Sequence, residues 1–165
     1  QPASYDLTMG EVFQVPQPSP DIVTSPQDIQ YQRFHGAIVI PPGGFMLGAT
    51  AERVRLPAGV SAQVSGRSTL GRMGLAVHIT AGFIDPGFDG HITLELFNHS
   101  PRAILLKPGM PAGQLVFSFL DAPAQRPYAG RYQGAAGVEP PKDFVGGDKE
   151  QAPPEEPPHL QVPSR

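Results

Sequence analysis

Three short stretches carry side chains of the types that do chemistry. The first is Ser65-Gly66-Arg67-Ser68-Thr69-Leu70-Gly71-Arg72. Its glycines let the backbone approach an anion, its hydroxyls donate hydrogen bonds, and its arginines offer forked, permanently charged donors. A helical turn starting there would add free N–H groups to the same anion site. The same residues also make an ordinary polar turn with solvated arginines. The second is Thr80-Ala81-Gly82-Phe83-Ile84-Asp85-Pro86-Gly87-Phe88-Asp89-Gly90. Asp85 can accept a hydrogen bond from a sugar hydroxyl, and Phe88 can lie flat on a sugar ring. Equally, Asp85 caps a turn and Phe88 belongs to the core. The third is Glu95, alone among apolar residues in His91-Ile92-Thr93-Leu94-Glu95-Leu96-Phe97. An unpaired buried carboxylate is costly; burial raises its pKa and a nearby arginine lowers it, so such a group can shuttle protons. A solvated sheet face accounts for it as well.

Other chemistries fit less well. His78, between Val77 and Ile79, reads as a hydrogen-bonded structural residue. His91 and Glu95 are four apart, which on a strand is one face at a distance and not the helical pair of a metalloprotease. The chain has no cysteine. It therefore has no disulfide framework and cannot supply the Pro-Cys-x-x-Cys half of a zinc deaminase signature. No Ser-His-Asp order stands out.

The elements that must position these residues are short. Gly 19 and Pro 21 among 165 residues punctuate the chain too often for long helices. Apolar runs at 37–41, 45–49, 54–57, 60–65, 75–79, 91–98, 103–106 and 114–119 predict strands, with a turn leading into another strand over 1–10 and a loop over 16–28. That spacing predicts an all-β sandwich, jelly roll or barrel, with one helical turn at 68–73. In the strand at 91–97, Ile92, Leu94 and Leu96 share one face, and Thr93, Glu95 and Phe97 the other. In the strand at 113–119, Leu115, Phe117 and Phe119 oppose Gln114 and Val116. After Leu120 the pattern fades into a Gly/Pro-rich segment carrying Tyr128, Arg131 and Tyr132, then a Pro/Glu-rich end expected to be disordered. A net charge of -3 argues against a general nucleic-acid binder. No apolar run reaches the roughly 18 residues of a membrane helix, and no secretory signal is visible. Neither nucleic acid nor membrane is an expected partner, and a cytoplasmic location is expected.

In order, these stretches resemble one family. SGRSTLGRMGLAVHITAGFIDPGFDGHITLELFN followed by LLKPGMPAGQLVF closely resembles the dCTP deaminases of the dCTP deaminase/dUTPase superfamily. QPASYDLTMG resembles their early PAS-x-DL segment, FMLGATAERVRLP the strand before the phosphate motif, and RYQGAAG the mobile tail that closes over the nucleotide. The resemblance covers roughly residues 1–144. It implies a distorted jelly roll or β-barrel of the dUTPase-like type, assembled as a homotrimer with active sites between subunits. It divides the chain into a core over 1–125, a nucleotide-closing tail over 126–145 and a disordered end over 146–165.

The resemblance also implies roles. Glu95 matches the general acid/base. Arg67 and Ser68 match residues that meet phosphate and position water, and Arg72 a further essential arginine near the base. The carbonyl of Ala81 matches the one that holds the attacking water, beside Thr80 in the nucleotide site. Asp85 matches the ligand of the deoxyribose 3′-hydroxyl, Phe88 the aromatic beneath the sugar, and Gln114 a phosphate ligand. Arg131, Tyr132 and Gln133 match the tail, with arginine where lysine is common. Mg²⁺ is expected to arrive with the triphosphate, with no protein side chain as ligand and no zinc. The implied substrate is dCTP, with dUTP and dTTP as further nucleotides the site accommodates.

Two departures shape the expectation. A family amino-terminal helical segment of roughly 30 residues is missing, and the chain begins at Gln1, as a fragment or processed product would. Ala81-Gly82-Phe83 follows Thr80 where single-activity bacterial deaminases often carry Ala-His-Arg. That form, with an Arg-Tyr-Gln-Gly tail, is more similar to the bifunctional, dUMP-forming branch. The alternatives are a dUTP diphosphatase only and a catalytically silent nucleotide-binding β-domain. Against the former, the usual Gly/Phe-rich dUTPase tail is not evident.

Overall fold

The strand most directly concerned with the site is β9 (Asp89–Asn98), whose residues alternate half-buried and buried along its whole length. Ile92, Leu94 and Leu96 point into the core, and His91, Thr93, Glu95 and Phe97 point the other way, as the period of two requires. The computed structural model describes residues 3–19 and 22–143. The stretch 146–165, expected to be disordered, lies outside the described residues.

The other strands are β1 (Tyr5–Thr8), β2 (Val12–Pro16), β3 (Tyr31–His35), β4 (Ile38–Ile40), β5 (Phe45–Arg55), β6 (Val60–Gly66), β7 (Leu75–Ala76), β8 (Phe83–Ile84), β10 (Ile104–Leu106) and β11 (Pro111–Phe119). A single helical turn, α1 (Ser68–Arg72), follows β6. The strands form antiparallel sheets ordered β1-β11-β6-β8, β3-β2-β5-β9-β7 and β10-β4. A bridge from Met9 to Thr50 ties the first sheet to the second. Between them lie Leu7, Met9, Phe13, Ile40, Met46, Leu94, Leu96, Leu106 and Leu115, all nearly or wholly inaccessible. The expected all-β class, a distorted jelly roll with short helical turns, is the one observed.

Several boundaries differ from expectation. The runs at 45–49 and 54–57 are one strand, β5, whose pairing with β9 shifts between Ala49 and Arg53. Thr50 spans the bulge: its hydroxyl donates to the Glu52 carbonyl at 2.8 Å and accepts the Ile92 N–H at 3.0 Å. Polar Glu52 and Arg53 break the apolar pattern there without breaking the strand. The run at 75–79 is strand only at Leu75–Ala76, since the backbone turns away to cross the face of β9. The hairpin of β2 and β3 was hidden by the Pro/Ser-rich connection between them. On β11, Leu115 is buried, but Phe117 and Phe119 on the same face are 40% and 85% exposed.

Candidate active site

Glu95 lies midway along β9, opposite Leu47 of β5. Its Oε2 accepts the backbone N–H of Ile79 at 2.7 Å. Oε1 has no protein partner among the described residues. The segment bringing that amide is anchored by buried Val77 and by the Gly82 carbonyl, which accepts the Val64 N–H at 2.7 Å. Gly82 suits this approach: a Cβ there would meet His78 Cε1 at 3.0 Å and the Val64 carbonyl oxygen at 3.2 Å, besides the movable end of Gln63.

The carboxylate faces a cavity of about 550 Å³. Thr80, Ala81 and Asp85 line it from one side, and His91 and Thr93 from the Glu95 face of β9. Phe88 and Tyr128 form an aromatic wall, their ring centroids 5.9 Å apart and tilted by 53°. Phe88 is both core and wall: it is 7% exposed and still contributes to the cavity surface. Tyr31 contributes a phenol whose pKa burial pushes upward, keeping it a neutral donor and acceptor. The size and mixed aromatic and polar lining suit a small organic ligand.

Residues after 126 close one side. Tyr128 N–H donates to the Pro86 carbonyl at 2.8 Å, and His91 N–H to the Ala135 carbonyl at 2.9 Å. Gln133 is bonded through both ends of its amide: Oε1 accepts the Asp89 N–H at 3.0 Å and Nε2 donates to the Gly87 carbonyl at 2.9 Å. Gly87 has φ +88°, and a Cβ there would strike Pro127 at 2.5 Å. Tyr132 lines the cavity beneath Lys142, whose ammonium sits 5.1 Å from the ring centroid. Arg131 lies outside the cavity, donating to the carbonyls of Lys142 and Asp143. Glu139 reaches the cavity, and its N–H donates to Thr93 Oγ1 at 3.0 Å.

The residues singled out in the sequence thus fall into two groups. Glu95, Thr80, Ala81, Asp85, Phe88 and Tyr132 meet around one cavity, with Gln133 pinning its edge. Arg67, Ser68, Arg72 and Gln114 do not line that cavity within one copy of the chain. Arg67 precedes α1, and its guanidinium pairs with Asp6 at 2.8 Å. Ser68 and Arg72 are exposed on α1, which buried Leu70 anchors. Gln114 accepts a hydrogen bond from Ser4 at 2.8 Å. His78 departs from the expected hydrogen-bonded structural role: its Nδ1 is buried without a partner among the described residues.

Sequence reasoning did not select Tyr31, Thr93, Tyr128 or Glu139 for this cavity. Thr93 was discoverable, since it lies two residues from Glu95 on one face. Tyr31 and Glu139 reach it from segments remote in the chain, and no local pattern signals that.

An antiparallel all-β fold with the carboxylates of Asp85, Glu95 and Glu139 around an aromatic-walled cavity defines a small-ligand site on a jelly-roll-like domain. A family model described as dCTP deaminase-like matches residues 1–120, and this chain belongs to that family. The chain is 44% identical over 149 residues to the "dCTP deaminase, dUMP-forming" of Beutenbergia cavernae, covering 83% of this chain and 78% of that protein. It is 41% identical over 163 residues to the "dCTP deaminase" of Natronomonas pharaonis, covering 91% and 83% respectively. The structure is similar to that of 2′-deoxycytidine 5′-triphosphate deaminase from Agrobacterium tumefaciens, with a TM-score of 0.56 and 26% identity over 72% of this chain and 39% of that one.

Proposed function

We propose that this protein hydrolyses dCTP, releasing ammonia from the base and diphosphate from the phosphate chain to leave dUMP. The observation that carries the reading is Glu95 in its cavity: a carboxylate fixed through one oxygen by the Ile79 amide, with the other unpartnered among the described residues, in a member of the dCTP deaminase-like family. Relatives named dUMP-forming, and the Ala81-Gly82-Phe83 sequence, support the further loss of diphosphate.

Deamination requires water to attack C4 of cytosine, a base to take the water's proton, and an acid to protonate N3 and the departing ammonia. Glu95 alternates between these roles. The Ala81 carbonyl orients the water, and Ser68 with Arg72 stabilises charge developing on the ring without zinc. Asp85 binds the sugar 3′-hydroxyl. Phe88 packs beneath the ring, where a ribose 2′-hydroxyl fits poorly. Arg67 and Gln114 hold phosphate oxygens, and the tail through Arg131, Tyr132 and Gln133 closes the site. The triphosphate supplies remote binding energy that orients the base.

That the arginine-rich turn and Gln114 do not line the cavity within one copy supports a complete site built between copies of a homotrimer. Carried with the nucleotide rather than by a protein side chain, Mg²⁺ would offset the negative charge of the triphosphate.

Chromatography of products from dCTP and Mg²⁺ tests the reading. Ammonia, dUMP and diphosphate are expected in equal amounts. Accumulation of dUTP would remove the diphosphate step. Turnover of dUTP without dCTP would leave a diphosphatase only, and no turnover of either would overturn the enzyme reading.

A further inference from the structure

The first strand sets a polar row across three strands. Asp6 of β1 lies opposite Gln114 of β11, and Gln114 lies opposite Ser65 of β6. Residues opposite one another in adjacent strands share a face. Both phosphate-handle residues are bonded to this first segment: Asp6 Oδ1 accepts from Arg67 Nη1 at 2.8 Å, and Ser4 Oγ donates to Gln114 Oε1 at 2.8 Å. The strand itself is held firmly. Leu7 is fully buried, and Thr8 donates to the Glu52 carboxylate through its N–H at 2.9 Å and its hydroxyl at 2.7 Å.

We propose that Asp6 and Ser4 are positioning residues that present Arg67 and Gln114 as donors to the triphosphate before it binds. The proposal rests on the reading of Arg67 and Gln114 as phosphate ligands. An arginine side chain is long and mobile, with five donors in a rigid fork. Pairing one nitrogen with Asp6 fixes the fork and leaves the remaining donors for phosphate oxygens. A glutamine amide can present either its oxygen or its NH₂. Ser4 takes the oxygen, so the NH₂ group, without a partner among the described residues, is the end left for a ligand. Both bonds thus turn donors outward, the polarity an anion requires.

The sign of one measurement separates this role from simple electrostatics. The Asp6 carboxylate is itself negative, so charge alone makes its removal tighten triphosphate binding. Positioning makes its removal weaken binding. Steady-state kinetics with dCTP and Mg²⁺ on the full chain would compare wild type with Asp6→Asn, Asp6→Glu, Ser4→Ala, Arg67→Gln and the Asp6→Asn/Arg67→Gln double variant, with thermal unfolding alongside. Asp6→Asn is expected to raise KM about tenfold with kcat within about twofold, the pattern of lost uniform binding. Asp6→Glu should recover part of the loss, and Ser4→Ala should raise KM severalfold. In the Arg67→Gln background Asp6→Asn should change KM by less than about twofold, because its route of action is gone. An unchanged or lowered KM in Asp6→Asn, or the same factor in both backgrounds, overturns the proposal. If Asp6→Asn does not fold, Ser4→Ala decides, and an unchanged KM there overturns it. If Arg67→Gln raises KM while the Asp6 and Ser4 variants do not, positioning fails and the phosphate reading stands. If Arg67→Gln leaves KM unchanged, the phosphate reading itself falls.

Discussion

The role proposed for Glu95 rests on its partners. On a solvated face it would be an ordinary carboxylate; here the Ile79 amide holds Oε2 at 2.7 Å and the cavity lies before it. Glu95→Gln keeps the shape and loses the proton acceptor. It is expected to lower ammonia release from dCTP by about a thousandfold while calorimetry still detects dCTP binding. Full-rate release in that variant would remove Glu95 from the chemistry. A second carboxylate works through stability. The hydrogen bond from Arg53 at 2.7 Å, with its charge and that of Arg55, holds Asp89 below the ordinary value of 3.8. A carboxyl depressed in the fold stabilises it above the unfolded pKa, and that contribution fades as pH falls through the folded value. Asp89→Asn should therefore lower Tm at neutral pH and flatten the decline of Tm below about pH 4. An unaltered acid limb would show that this pair does not contribute.

At the scale of elements, the segment after Leu120 is part of the cavity wall as well as a tail. Its contacts are mostly to backbone: Tyr128 to Pro86, Gln133 to Gly87 and Asp89, Ala135 to His91. Ala135 is 5% exposed, so this segment completes a buried layer. Trimming the chain from Arg131 should abolish dCTP turnover, whereas trimming after Gly146 should leave it intact. Equal turnover of the two truncations would exclude the tail from the site. β9 and β11 were legible as strands because alternation at 91–97 and 113–119 is a local property. β2 and β3 were not, because their pairing is carried by a connection rich in proline and serine.

At the scale of the whole molecule, the proposed homotrimer has two observations to account for. The far end of β11 exposes Phe117 and Phe119 on one face of its sheet, and Val116 of β11 with Phe83 of β8 on the other. The expected phosphate residues also stand away from the cavity within one copy. Analytical ultracentrifugation should find a trimer, and Phe119→Asp should shift it toward monomer with loss of turnover. Glu95→Gln and Arg67→Gln chains, each inactive or impaired alone, should regain activity when refolded together in equal amounts, since about a quarter of all sites would combine intact halves. Failure of the mixture to exceed its components would place the whole site within one copy.

From its sequence alone this protein discloses its all-β class and its family, and it nominates the residues proposed to carry chemistry, because strand period, turn residues and ordered motifs are all written locally. Only the tertiary structure decided which of those residues meet. It brought Tyr31, Ile79, Tyr128 and Glu139 to the cavity of Glu95, and it tied Arg67 and Gln114 to the first strand instead. The reason is register. Contacts between segments dozens of residues apart depend on how strands align, on the Thr50 bulge that shifts β5 against β9, and on the turn that lifts residues 77–82 across a strand face. No stretch of the chain encodes these by itself.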